Sequence, residues 1–147
     1  MIEESVRDWM SRDVITITSS QTLPEAYEIM KEHKIRRLPV VDGGKLVGIV
    51  TLGDLREASP SNATSLSVFE INYLVARLPV GKIMSRDPLT VTPATGLTEA
   101  AKLMLHHKIG GLPVVQGHKL VGVITESDIF RAYVHLAETE TITAAAK

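Results

Sequence analysis

The chain has 147 residues with 16 basic against 17 acidic, so no general field draws nucleic acid or an acidic membrane surface to it. It has no cysteine, which removes disulfides, thiolate catalysis and Cys-ligated zinc together and fits a reducing compartment. Hydrophobic residues make up 44%, yet no apolar run approaches the roughly 20 residues of a membrane span, and Met1-Ile2-Glu3-Glu4 is too acidic to open a signal peptide. The expectation is a globular cytoplasmic protein with no nucleic-acid polymer or membrane as partner.

Val14-Ile15-Thr16-Ile17 is rich in β-branched residues and reads as a short strand. Thr22-Leu23-Pro24-Glu25 then offers an N-cap with a glutamate three residues on, and Leu23, Ala26, Met30 and His33 recur at helical spacing. Residues 37–41 read as a second strand, Asp42-Gly43-Gly44 as a turn and residues 45–50 as a third strand, which together predict a hairpin. Thr51 opens another helix. Residues 58–63 form a loop by composition, and residues 66–78 predict a helix with a Ser67/Glu70 capping box, ended by Pro79. That segment is apolar on most sides, so it either packs between the halves of the chain or also meets a second chain.

The rest repeats this order. Residues 10–55 overlay residues 84–129 without a gap: Met10-Ser11-Arg12-Asp13 recurs as Met84-Ser85-Arg86-Asp87, and Leu38-Pro39-Val40-Val41 as Leu112-Pro113-Val114-Val115. The second copy predicts a strand around residues 89–92, a helix over 97–107, a hairpin through Gln116-Gly117-His118 and a helix over about 126–136. Residues 139–147 lack periodicity and read as a tail. The expected organisation is a first repeat at 1–58, a loop and linker helix at 59–79, a second repeat at 80–136 and a flexible tail at 137–147. Each copy of roughly 60 residues is near the lower limit for burying its own core, so two copies are expected to fold together.

In both copies a Gly-h-h-Thr-x-x-Asp pattern, where h is apolar, follows Leu-Pro-Val-Val: Gly48-Ile49-Val50-Thr51-Leu52-Gly53-Asp54 and Gly122-Val123-Ile124-Thr125-Glu126-Ser127-Asp128. With the element order around it, the pattern resembles a tandem pair of CBS (cystathionine β-synthase) domains, the Bateman module, over about residues 6–134. With the linker Ser65-Leu66-Ser67-Val68-Phe69-Glu70-Ile71-Asn72-Tyr73-Leu74, it is similar to stand-alone CBS-pair proteins grouped with acetoin-utilisation proteins. The resemblance implies an α/β (α+β) fold of two β-α-β-β-α repeats, packed sheet to sheet about a pseudo-twofold axis with two clefts for adenosine-containing ligands. It further implies that Asp54 and Asp128 hold ribose hydroxyls and that Thr51 and Thr125 contact ribose or phosphate. Val14-Ile15-Thr16 and Pro88-Leu89-Thr90 would line adenine.

The chemistry of these residues fits. A carboxylate accepts from a vicinal diol, a threonine hydroxyl can donate to phosphate, and a helix start favours an anion. Thr51 with Asp54, and Thr125 with Asp128, also have the spacing of an N-cap and its N3 acid, and the capping and ligand uses are compatible at different atoms. The copies differ just before the Leu-Pro-Val-Val motifs that contain Pro39 and Pro113. Arg36-Arg37 stand where the second copy has Gly110-Gly111. In CBS modules basic residues here reach ligand phosphates, and the competing reading is a pair of solvated surface charges. Non-equivalent sites are the expectation.

Other features carry less. His106 and His107 are adjacent and point apart on a helix, so no metal site is expected; His33 and His107 favour helix ends, and Trp9 and Tyr73 read as packing groups. No nucleophile elbow or Walker loop is present. The expectation is a non-catalytic regulatory module with no required cofactor, binding AMP, ADP, ATP or S-adenosylmethionine, acting as a homodimer on a regulated protein. The alternative is an assembly module with vestigial clefts, joined through residues 52–58, 66–78 and 127–136.

Overall fold

A computed structural model describes residues 4–58 and 75–145, with side-chain surroundings through residue 140. The linker helix expected at 66–78 lies mostly outside the described residues; within them, residues 75–77 are helical. The chain forms two compact units, Ile15–Pro88 and Met1–Val14 with Leu89–Lys147.

In the first unit, α2 (Leu23–His33) follows a short α1 (Val6–Trp9) that belongs to the other unit. Thr22 caps α2 by accepting from the Glu25 N–H at 3.4 Å, and Lys34 ends it in the left-handed region at φ 55°. Strands β1 (Arg37–Asp42) and β2 (Lys45–Thr51) form an antiparallel hairpin. Gly43 and Gly44 both have positive φ, 56° and 79°, as a type I′ turn requires. Helix α3 (Leu52–Ala58) follows. Ile17, Leu23, Ala26, Met30, Leu38, Val40, Val50, Leu55 and Val80 form the core.

The second unit repeats this with α4 (Leu97–His107), β4 (Gly111–Gln116), β5 (Lys119–Thr125) and α5 (Glu126–Ala145). Its own core contains Val91, Leu97, Ala100, Met104, Leu112, Val114 and Ile124. Helix α5 corrects the expected stop at residue 136. Nothing between Leu136 and Ala145 is Gly or Pro, and Ala137, Glu138 and Glu140 are good helix formers, so the helix continues through the threonines.

The expected strands at 14–17 and 89–92 shrink to single parallel bridges, Ile17 with Val40 and Val91 with Val114. Proline is the reason. Ile17 N–H donates to the Pro39 carbonyl and Val41 N–H to the Ile17 carbonyl; the next parallel-ladder bond would need a Pro39 N–H donating to Ile15, and proline has none. Pro113 ends the second ladder before Leu89 in the same way.

The sequence repeats are contiguous, but the compact units are not. Strand β3 (Ser85–Arg86), which opens the second sequence copy, pairs antiparallel with β2 of the first unit. The equivalent Ser11 pairs with Val123 of the second unit. The exchange continues upstream: Val80 N–H donates to Gln21 at 2.7 Å, and Val6 N–H to Thr95 at 2.8 Å. A 3-10 turn at Val80–Lys82 and α1 occupy equivalent places, and Val6 and Val80 are both fully buried. Gly48 and Gly122 make the seats for these segments. A Cβ on Gly48 would stand 2.6 Å from Met84 Sδ and 2.8 Å from the Ser85 carbonyl oxygen; on Gly122 it would stand 2.8 Å from both Met10 Sδ and the Ser11 carbonyl oxygen.

Candidate functional site

Within the first unit, the backbone brings most of the sequence candidates to one end of the hairpin. Arg37 lies directly across from Thr51 in the β1–β2 ladder, and the Arg36 carbonyl accepts from Leu52 N–H at 2.8 Å as α3 begins. Ile15 and Thr16 run into the Ile17 bridge beside buried Pro39. Among the described residues, the backbones of Ile15 and Thr16 make no hydrogen bond, so the proline-shortened ladder leaves donors and acceptors that a planar heterocycle can use. Arg36 is exposed and Arg37 is half-buried. Val14 falls at the end of the exchanged segment, in the other unit.

The second unit repeats the frame. Gly111 lies across from Thr125, and the Gly110 carbonyl accepts from Glu126 N–H at 3.0 Å. Leu89 and Thr90 run toward the Val91 bridge beside buried Pro113, again without backbone hydrogen bonds among the described residues. Pro88, like Val14, falls across the unit boundary. Gly110 and Gly111 are not at positive φ, so their backbone conformation does not require glycine.

The Thr–Asp pairs have different hydrogen bonds. At α3, Thr51 N–H donates to Asp54 Oδ2 at 2.8 Å and Asp54 N–H donates to Thr51 Oγ1 at 3.1 Å, a reciprocal capping box. The Thr51 hydroxyl proton remains available, and Asp54 accepts one bond among the described residues. At α5, Asp128 Oδ2 accepts from both the Thr125 N–H at 2.8 Å and the Thr125 hydroxyl at 3.1 Å. Asp128 Oδ1 accepts from the Arg131 guanidinium, which forms an ion pair with it. Asp128 is only 3% exposed, the one charged residue that is buried among the described residues. Capping therefore accounts for the spacing in both copies and leaves spare acceptor capacity mainly at Asp54.

A second difference lies at the far end of the hairpin. Ser19 donates to Asp42 through its N–H, at 3.0 Å to Oδ1, and through its hydroxyl to Oδ2. The Ser19 hydroxyl bond, followed by its backbone bond, holds the Asp42 carboxyl below its usual range against a smaller opposing effect of burial. The corresponding residues of the second copy are Pro93 and Gln116, which have no such chemistry. The sequence pattern Ser19…Asp42 does not announce this link, since the residues meet only through the parallel bridge.

Among the described residues no group of three or more His, Asp or Glu side chains is placed to hold a metal ion, and no helix is long and apolar enough to cross a membrane. The CBS domain model matches residues 6–61 and again 80–135. The inosine-5'-monophosphate dehydrogenase of Korarchaeum cryptofilum is 40% identical over 120 residues, covering 81% of this chain and 22% of that enzyme, so the chain spans under a quarter of that relative. A Vibrio cholerae protein assigned by name to acetoin utilization (AcuB) has a solved structure 36% identical to this chain. The match covers 95% of this chain and 97% of that one, with a TM-score of 0.79. CBSX2 of Arabidopsis thaliana, solved in complex with AMP, is 30% identical with coverage of 91% and 98% and a TM-score of 0.77. The CBS domain pair of protein MJ0100, solved with 5-methylthioadenosine and S-adenosyl-L-methionine, is 29% identical with coverage of 91% and 98% and a TM-score of 0.74. Two matches to one family model, carried on two units of the same fold, place this chain in the CBS domain family as a tandem pair.

Proposed function

We propose that the chain is a regulatory module that binds adenosine-containing ligands, with the first unit as its principal site. The observation that carries this reading is the end of the β1–β2 hairpin. There the unbonded backbone of Ile15 and Thr16 runs beside β1, Arg37 lies across from Thr51, the Arg36 carbonyl holds the Leu52 N–H, and Thr51 and Asp54 cap the helix that begins at Leu52. Ile15 and Thr16 supply main-chain groups for an adenine edge, Asp54 accepts from ribose hydroxyls, and Thr51 with the arginines meets phosphate. Binding of AMP by CBSX2 and of adenosyl compounds by the MJ0100 pair supports the ligand class. The second unit offers Leu89, Thr90, Thr125 and Asp128 with Gly110-Gly111 and less phosphate-directed charge.

The module itself is non-catalytic and needs no cofactor; it works in the cytoplasm by altering a partner protein when ligand shifts its conformational equilibrium. A thermal-shift and calorimetric panel of AMP, ADP, ATP and S-adenosylmethionine tests this. A bound ligand stabilises by about 2.7 kcal/mol at a hundredfold excess over its dissociation constant. Absence of binding by all four at millimolar concentration would remove the reading.

One observation favours association as well. Phe130, Tyr133 and Val134 are 65%, 71% and 51% exposed along one side of α5, an apolar stripe that a homodimer would cover. Association and ligand binding separate by experiment: Asp54→Ala removes the ligand and leaves the dimer, whereas Phe130→Glu with Tyr133→Glu breaks the dimer.

A further inference from the structure

Arg131 is part of the difference between the two copies, and its counterpart in the first copy is the exposed acid Glu57. A carboxylate has about four acceptor positions, two on each oxygen. Among the described residues, Asp128 has three in use: both on Oδ2, from the Thr125 N–H and hydroxyl, and one on Oδ1 from Arg131. One position remains, whereas a vicinal diol brings two donors. Asp54 uses one position among the described residues, so it can receive both hydroxyls without breaking a bond.

The charges agree with the count. Asp128 is buried with its side chain 4% exposed, while the Arg131 side chain is 63% exposed and extends over it from the next turn of α5. An exposed arginine can swing into water, but it leaves a buried carboxylate behind, so its departure is opposed. Glu57 carries the same sign as Asp54 and can form no such cover.

We propose that Arg131 is a latch that closes the second copy's Thr–Asp pair to ribose, so that the chain takes its adenosyl ligand at Asp54 alone until Arg131 is displaced. The inference rests on the adenosyl-binding reading. Arg131 acts as a positioning and selectivity residue through Asp128. Displacement requires an anion presented beside Arg131, either from a polyphosphate ligand or from an acidic segment of a regulated protein, and the carboxylate then regains the two positions a diol needs.

The test is AMP stoichiometry on the full chain by calorimetry and equilibrium dialysis. The wild type should bind one AMP per chain, Asp54→Ala none, and Arg131→Ala two, the added event disappearing in Arg131→Ala with Asp128→Ala. In the Asp54→Ala background, Arg131→Ala should restore one AMP. Arg131→Met retains the aliphatic stem and serves if the alanine variant folds poorly. Two AMP on the wild type, or one AMP retained by Asp54→Ala, overturns the latch without either variant. One AMP on the wild type with no gain in folded Arg131→Ala and Arg131→Met overturns the latch and preserves the Asp54 site. No AMP on any of these proteins overturns both.

Discussion

The two copies are equivalent as scaffolds and different as chemical sites. Helices Leu23–His33 and Leu97–His107 have equal lengths, and hairpins Arg37–Thr51 and Gly111–Thr125 have the same register with the same irregularity after Val40 and Val114. The exchanged segments repeat the same backbone bonds, as in Val80 to Gln21 with Val6 to Thr95 and Gly81 to Ser19 with Arg7 to Pro93. The core positions differ only by conservative apolar exchanges such as Ile17 against Val91 and Val50 against Ile124, whereas the polar differences include Arg36-Arg37 against Gly110-Gly111, Glu57 against Arg131, and Ser19 with Asp42 against Pro93 with Gln116. A duplicated fold thus constrains apolar volumes and the glycine seats while leaving polar side chains at helix starts and hairpin ends free to diverge.

The scaffold half of the comparison predicts the largest effects. Leu38 and Leu112 are fully buried at matching positions, so Leu38→Ala and Leu112→Ala should each cost about 2–5 kcal/mol in chemical denaturation. Costs that differ greatly would break the equivalence of the two cores. The sites should behave oppositely. Asp54→Ala should weaken AMP binding by roughly 100-fold or more, the loss of two hydrogen bonds to a charged acceptor, so that none is bound at concentrations that saturate the wild type, whereas Asp128→Ala should leave AMP affinity within about twofold. Calorimetry of both variants decides between unequal and equal sites.

The glycine seats return to equivalence. Gly48→Ala and Gly122→Ala each press a methyl against a backbone carbonyl of an exchanged segment and should cost about 1–3 kcal/mol by urea titration. Removing phosphate-directed charge separates the copies again: Arg36→Ala with Arg37→Ala should lower AMP affinity by about tenfold and leave adenosine unchanged, with AMP binding also weakened by salt.

The smallest effect concerns acid. Asp42 has its folded pKa lowered by Ser19, so its contribution to stability is complete above the unfolded value of about 3.9 and is lost as pH falls through the lower folded value. Asp42→Asn should therefore lower the melting temperature at about pH 6, and the difference from the wild type should shrink as pH falls below about 3.9. Gln116→Glu should add no comparable dependence, since Pro93 has no donor to hold it.

Much of this was legible along the chain. Thr22 and Glu25 mark the start of α2 to the residue, Gly43-Gly44 marks the hairpin turn, and the recurrence of Thr51 and Asp54 as Thr125 and Asp128 marks the paired helix starts. The shortened strands were legible in principle, because Pro39 and Pro113 each lack the donor that a longer parallel ladder needs. Ser5 and Asp8, joined at 3.0 Å, likewise have the spacing of a cap and mark α1. Arg131 sits three residues after Asp128, where helix geometry permits a pair, but Glu57 at the matching position shows that spacing alone does not say which acid is covered.

Sequence by itself determined the doubled α/β unit, its turns and caps, and the residues at which the copies disagree, because those follow from local periodicity and donor counts. Only the tertiary structure decided which copy of Met-Ser-Arg-Asp completes which sheet. Met10 and Met84 are the same residue in the same motif, so either pairing satisfies the local pattern, and the structure seats Met84-Ser85 on Gly48 and Met10-Ser11 on Gly122. Tertiary structure also decided that Asp54 and Asp128, identical in motif, differ in spare acceptor capacity, because that depends on where neighbouring donors point in space.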